Sequence, residues 1–219
     1  MSELGELVVR WQRGWGVSRG VPASKDVGGA VRAHCRQNGR EVEYFAYDDT
    51  DLARLAQLVR GEEAVTWLTV PSAEPDRAAA DLEAAGLVLL KRSEQLMTID
   101  LGEHPPATPA EPYRIRTRVD GGAITVEVLD ASGAEGAHGW AGLSGGDAVA
   151  DRILTAPEHR RRGLGRAVMS ALATTAREHG AGTGLLVASD EGQRLYQALG
   201  WRPVAEVLIA STPGVEFPA

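Results

Sequence analysis

From about residue 113 onward the chain alternates apolar and polar positions. Tyr113, Ile115, Thr117 and Val119 interleave with arginines, as an antiparallel strand would. Asp120-Gly121-Gly122 forms a tight hairpin turn, and Ile124, Val126 and Val128 line the return strand. Ser132-Gly133 turns the chain again, 138–143 reads as a third strand, and Gly145-Gly146-Asp147 turns into a fourth over 148–155. The period then changes. Leu164, Val168 and Leu172 fall on one stripe of a helix over 164–179, which Gly180 stops. A short apolar strand at 184–188 and a last helix from Ser189, closed by Gly200-Trp201, complete this half.

The first half is less regular. Leu7-Val8-Val9-Arg10-Trp11 fits a short strand or a helix entry equally. Ser24 caps an expected helix over 25–36, which Gly28-Gly29 weaken. His34 and Cys35 are adjacent there, but neighbours on a helix do not face each other, which argues against a nucleophile pair. A strand at 41–47 leads to Asp48-Asp49-Thr50-Asp51, a strong start for a helix carrying Leu52, Leu55, Leu58 and Val59 and ended by Gly61. A strand at 64–70, a helix at 73–85 ended by Gly86, and two antiparallel strands at 87–90 and 95–101 follow. Pro105, Pro106, Pro109 and Pro112 then mark a linker. The expected organisation is α/β with a mixed sheet: an N-terminal half at 1–104, a linker at 105–112 and a C-terminal domain at 113–219.

Composition narrows the partners. With 43% hydrophobic residues in 219 the chain can bury a core, and a net charge of −7 argues against nucleic acid or an anionic membrane as partner. Cys35 is the only cysteine, so no disulfide framework or cysteine-built metal site is expected, and the five histidines show no metal-ligand spacing. The acidic start lacks a signal peptide's features, and no apolar run approaches the ~20 residues that span a bilayer, so a cytoplasmic location is expected.

Against that acidic background stands Pro157-Glu158-His159-Arg160-Arg161-Arg162-Gly163-Leu164-Gly165-Arg166-Ala167. A basic, glycine-bearing turn between a strand and a helix start cradles anions. The first helical N–H groups lack intrahelical partners, the helix dipole adds positive potential, and the glycines let a phosphate approach the backbone. No Lys-Ser or Lys-Thr follows the glycines, as a Walker loop requires, and Val168 stands where a dinucleotide fingerprint has its third glycine. The plainer alternative is a solvated basic helix start.

Arg160-x-x-Gly163-x-Gly165 resembles the acyl-CoA pyrophosphate loop of the GNAT N-acetyltransferase superfamily. The strand before it, the apolar strand at 184–188 and the helix with Tyr196 and Gly200-Trp201 resemble that family's elements in order, over roughly 113–211. The resemblance implies a GNAT acyl-CoA-binding fold and transfer of an acetyl group from acetyl-CoA to an amine. It implies that Arg160, Arg161, Arg162, Gly163, Leu164, Gly165 and Arg166 hold the pyrophosphate. Leu154 and Thr155 would pair with the pantetheine arm through their backbone, where the strand splays from its neighbour. Tyr196 would protonate the leaving thiolate, the alternative being a tyrosine that only packs the last helix. Ser189, a further candidate contact to the cofactor, and Gly192 fall where the family often has Asn and Ala. The usual glutamate base position is held by Val149; Asp151 shares its strand parity and is the leading substitute, with Glu127, His138 or ordered water behind it.

The acceptor implied is a small-molecule or peptide amine, with no metal, nucleic acid or membrane, and a homodimer is one assembly open to the chain. The rival reading is a non-catalytic acyl-CoA-binding sensor or partner subunit. A weak repeat of strand, helix, glycine and strand, with Leu82 at the place of Tyr196, makes the first half resemble a degenerate GNAT copy lacking the arginine–glycine loop. The family's two helices between its first strands, which wall the acceptor pocket, are reduced here to Asp120-Gly121-Gly122. The N-terminal half is expected to supply that wall.

Overall fold

The computed structural model describes residues 1–37 and 39–218. Its elements run α1 Glu3–Arg19, β1 Lys25–Asp26, β2 Ala30–Gln37, β3 Arg40–Ala46, α2 Leu52–Gly61, β4 Thr66–Ser72, α3 Pro75–Ala84 and β5 Val88–Asp100. They continue with β6 Arg114–Asp120, β7 Ala123–Leu129, β8 Glu135–Ser144, β9 Asp147–Thr155, α4 Leu164–Glu178, β10 Thr183–Ala188, α5 Asp190–Ala198 and β11 Arg202–Ser211. The chain divides into two compact units, one of residues 1–12, 21–96 and 203–219, the other of residues 13–20 and 97–202.

In the first unit the strand order is β1-β2-β3-β4-β11-β5. β3 and β4 are parallel and are joined through α2, a βαβ crossover. The helix buries Leu52, Leu55, Ala56 and Val59, the spacing of its amphipathic run. α3 adds Ala78, Ala79 and Leu82 to the same core. In the second unit the order is β5-β10-β9-β8-β7-β6, with β9 and β10 parallel and joined through α4. Ile124, Val126 and Val128 of β7 are fully buried in one cluster with Leu164, Val168 and Leu172 of α4. The alternation on β7 and the helical stripe are therefore two sides of one core.

The repeat is visible in connectivity. β3-α2-β4-α3-β5 and β9-α4-β10-α5-β11 have the same element order, each with a parallel first pair. Leu87 N donates to Leu82 O at 3.1 Å, and Trp201 N donates to Tyr196 O at 3.0 Å, at matching helix ends. The last strand of each run belongs to the other unit: β11 pairs antiparallel with β4 in the first, and β5 from Met97 lies in the second.

Several local expectations change. Residues 25–36 are not helical. Gly28 and Gly29 have φ of +70° and +73°, and they turn the chain between β1 and β2. On β2 the Cys35 side is buried and His34 exposed, so the two point to opposite faces. The two strands expected at 87–90 and 95–101 are one strand, β5, because Lys91-Arg92-Ser93-Glu94 contains no turn-forming Gly, Pro or Asn. The ambiguous start is helix α1, despite its glycines. β11 is the strand that the repeat of strand, helix, glycine and strand places after Gly200. The unit boundaries fall at 96/97 and 202/203, and the proline-rich stretch lies within the second unit. There, Ala107 N donates to Ser170 Oγ at 2.8 Å and His104 is buried.

Residues 13–20 of α1 pack on β8 and β9 within the second unit. A Cβ at Gly142 would run into the Gly14 carbonyl, and one at Gly14 into Val149. The helix therefore touches the sheet backbone to backbone, which offsets the roughly 1 kcal/mol that a helical glycine costs. Removing residues 1–105 takes this helix end and the Met97–Asp100 part of β5 out of the second unit. The fragment 106–219 is expected to be insoluble or to unfold without cooperativity in urea. A soluble fragment with a sharp unfolding transition would contradict this dependence.

Candidate active site

The anion cradle begins where β9 and β10 part. They are registered only from Asp147–Val149 against Thr183–Leu185. Beyond that point no further pairs join them among the described residues. The remainders of both strands therefore turn backbone N–H and C=O groups toward a slot, and these groups require partners. β9 passes through a short turn at Pro157–His159 to Gly163, whose φ of +77° makes it the left-handed residue before α4. No side chain caps α4, so its first N–H groups are open to an anion.

An open cleft of about 950 Å³ lies at this turn, lined by residues of the loop, the start of α4 and α5. Arg160, Arg161, Gly163, Leu164, Gly165, Arg166 and Thr155 line it, as expected. Arg194, which the sequence reading did not single out, lines it too, so four arginines face it against Asp190 and Glu191. Its place two residues before Tyr196 on α5 was the available signal.

Arg162 departs from expectation. Its Nη1 donates to Tyr113 Oη at 2.8 Å and its Nη2 to Glu158 O at 3.2 Å, while Tyr113 Oη also pairs with His159 Nδ1 at 2.8 Å. Arg162 braces the loop from behind and is absent from the cleft lining. Leu154 is exposed on β9 and Ser189 precedes α5; neither lines the cleft.

Tyr196 is 8% exposed. Its ring sits over Gly192, where a Cβ would come within 2.8 Å of it, so the alanine common at that position would collide with this tyrosine rotamer. Trp201 stands 6.1 Å away, centroid to centroid. Burial first, and the Asp151 charge second, push the hydroxyl's pKa above its ordinary value. The group therefore stays protonated through neutral and moderately alkaline pH.

The expected base, Asp151, is not a free carboxylate. Arg19 grips it with both ends, Nε to Oδ2 at 2.7 Å and Nη2 to Oδ1 at 2.8 Å, and Ser18 Oγ donates to Oδ2 at 3.1 Å. Arg152 Nε adds a longer contact at 3.4 Å. With both oxygens accepting charged donors, Asp151 fastens the end of α1 to β9, and we correct its assignment as base on that ground. Val149 is fully buried beneath Gly14. Glu127 is bound by Arg116 at 2.6 Å, which lowers its pKa, and His138 pairs with Glu135.

Among the described residues no group of His, Cys, Asp or Glu is arranged to hold a metal, and no helix is long and apolar enough to cross a membrane.

The comparisons agree with this geometry. Residues 122–203 match the family described as acetyltransferase (GNAT) domain. A GCN5-related N-acetyltransferase from Kribbella flavida is 15% identical, with a TM-score of 0.73 over 98% of this chain and 97% of that one. A GCN5-related N-acetyltransferase from Sphaerobacter thermophilus is 16% identical, with a TM-score of 0.63 over 87% and 79%. A tandem GNAT protein from the clavulanic acid biosynthesis pathway is 16% identical, with a TM-score of 0.59 over 86% and 83%. No curated protein matches this chain. Residues 122–203 thus match the GNAT domain model, and the chain shares its fold with these solved structures, one of them a tandem GNAT protein.

The first unit carries acids where the second carries arginines. Asp48, Asp49 and Asp51 precede α2 at the place corresponding to the loop before α4. They would repel a pyrophosphate, so one cofactor site per chain is expected. A side chain at Gly163 meets nothing of the protein within 4 Å. Its φ of +77° strains any residue other than glycine, so Gly163→Asp should cost about 1 kcal/mol of stability and stay folded while placing a carboxylate at the cradle. Calorimetric titration is expected to show acetyl-CoA affinity reduced at least tenfold; equal affinity would contradict the cradle's assignment.

Proposed function

We propose that the protein is an acetyl-CoA-dependent N-acetyltransferase acting by direct attack of a neutral amine on the thioester. The observation that carries the reading is the parting of β9 from β10 beside an uncapped, arginine-rich helix start. That arrangement suits a ligand with a polyanionic end and an arm that needs backbone partners. Here the parted strand edges bind the pantetheine arm, including Leu154 and Thr155 of β9. The α4 N-terminus with Arg160, Arg161 and Arg166 binds the pyrophosphate.

Holding thioester and amine together supplies most of the rate through orientation. The amine gives its proton to water. The C–N bond forms as the C–S bond breaks, and the departing thiolate takes a proton from Tyr196, which its buried setting keeps protonated. The acceptor is an amine. The rival, a subunit that only binds acyl-CoA, has no use for a tyrosine acid.

Tyr196→Phe keeps the ring and removes the acid. It is expected to lower kcat by about 100-fold or more with the acetyl-CoA Kd unchanged, measured by thiol release and calorimetry. Because the hydroxyl's pKa is raised, the wild-type rate should climb as the acceptor amine deprotonates and should not fall below about pH 10. An unchanged kcat in the variant would assign the tyrosine to packing alone.

A further inference from the structure

The reaction needs an acceptor, and the strand that carries Leu154 and Thr155 also carries a partly exposed cation, Arg152. β8 and β9 present two faces. Gly139 looks toward α4, where a Cβ would meet Val168 and Leu172, and Gly142 looks the other way, toward Gly14 of α1. On this second face Asp151 is registered against Trp140, and the ladder slips between His138 and Trp140. Arg152 sits at that slip with φ of +51°, a left-handed backbone that costs a non-glycine residue about 1 kcal/mol or more. The surroundings hold it there. Its guanidinium lies 4.3 Å from the Trp140 ring centroid, and Nη2 donates to Ser18 O at 2.7 Å.

Two guanidiniums, Arg19 and Arg152, share one carboxylate, and Arg19 has taken both of its oxygens. Arg152 keeps a 3.4 Å contact to Asp151 and a side chain 39% exposed. Burial, its largest influence, lowers its pKa, with the Arg19 charge acting the same way and Asp151 opposing; an arginine remains charged regardless. Arg152 therefore presents a planar fork braced by an aromatic ring and partly open to solvent.

We propose that Arg152 recognises the acceptor, and that the acceptor is an amine that also bears a carboxylate. A carboxylate fits the partly exposed guanidinium fork in charge and in geometry. This inference rests on the acetyltransferase reading and narrows its substrate class. It also accounts for the strain at residue 152, since a left-handed arginine presents its fork on the face away from α4.

The test is a panel of matched pairs, each an amino acid and its carboxamide, assayed by thiol release with acetyl-CoA on wild type, Arg152→Gln and Arg152→Lys. Wild type is expected to favour the carboxylates in kcat/KM by roughly 10- to 100-fold, the span of a charge-assisted hydrogen bond. Arg152→Gln should bring the ratio near one with acetyl-CoA binding intact, and Arg152→Lys should retain part of the preference. A purely structural Arg152 would lower both members of a pair together. Equal use of both members by wild type, a ratio that survives Arg152→Gln, or no reaction with any member in protein that binds acetyl-CoA each overturn the inference. Absent acetyl-CoA binding would instead overturn the functional reading beneath it.

Discussion

The second unit is organised around a local failure of strand pairing. Two parallel neighbours, β9 and β10, share registered pairs from Asp147 to Val149 and then separate. Unpaired backbone inside a sheet is costly unless something else satisfies it, so the separation has to be enforced and then filled. On one side α4 starts at Gly163 without a side-chain cap and packs its apolar stripe on β7, β8 and β9. On the other, the end of α1 lies on β8 and β9, fixed by the glycine contact and by the Arg19–Asp151 pair. Between these packings the two strands part, and in the proposed reading an extended ligand would supply the missing partners.

The two runs of β-α-β-α-β share topology and differ in chemistry. The helix that follows the first parallel strand is preceded by aspartates in one run and arginines in the other. The last helix carries buried Leu82 in one and Tyr196 in the other. A common fold with one arginine–glycine loop and one tyrosine at that place is consistent with the proposed chemistry lying in a single unit. The end of α1 then serves as part of the working unit, covering a face that the short Asp120-Gly121-Gly122 turn leaves without helices of its own.

Much of the working unit was legible because its signals are local. The alternation of β7, the stripe and glycine stop of α4, and the basic glycine loop each lie within a few residues, and the structure keeps them. What could not be read depends on distant partners. Arg162 turns away from the cleft because Tyr113, 49 residues earlier, accepts its hydrogen bond. Asp151 is engaged because Ser18 and Arg19 arrive from more than 130 residues away. β5 and β11 contribute to units other than those their sequence positions suggest, which no periodicity reports. The mistaken helix at 25–36 is different in kind: Gly28-Gly29 was visible, and its turn chemistry outweighed the capping serine.

The central claim is that the parted strands are the ligand's binding edge, and backbone hydrogen exchange on the full chain reads those edges directly. With saturating acetyl-CoA the account predicts slowed exchange at Leu154, Thr155 and residues 186–188, and at the first amides of α4, with no change at the aspartate-rich turn before α2. Protection confined to that turn, or saturating binding without protection along β9 and β10, would contradict it.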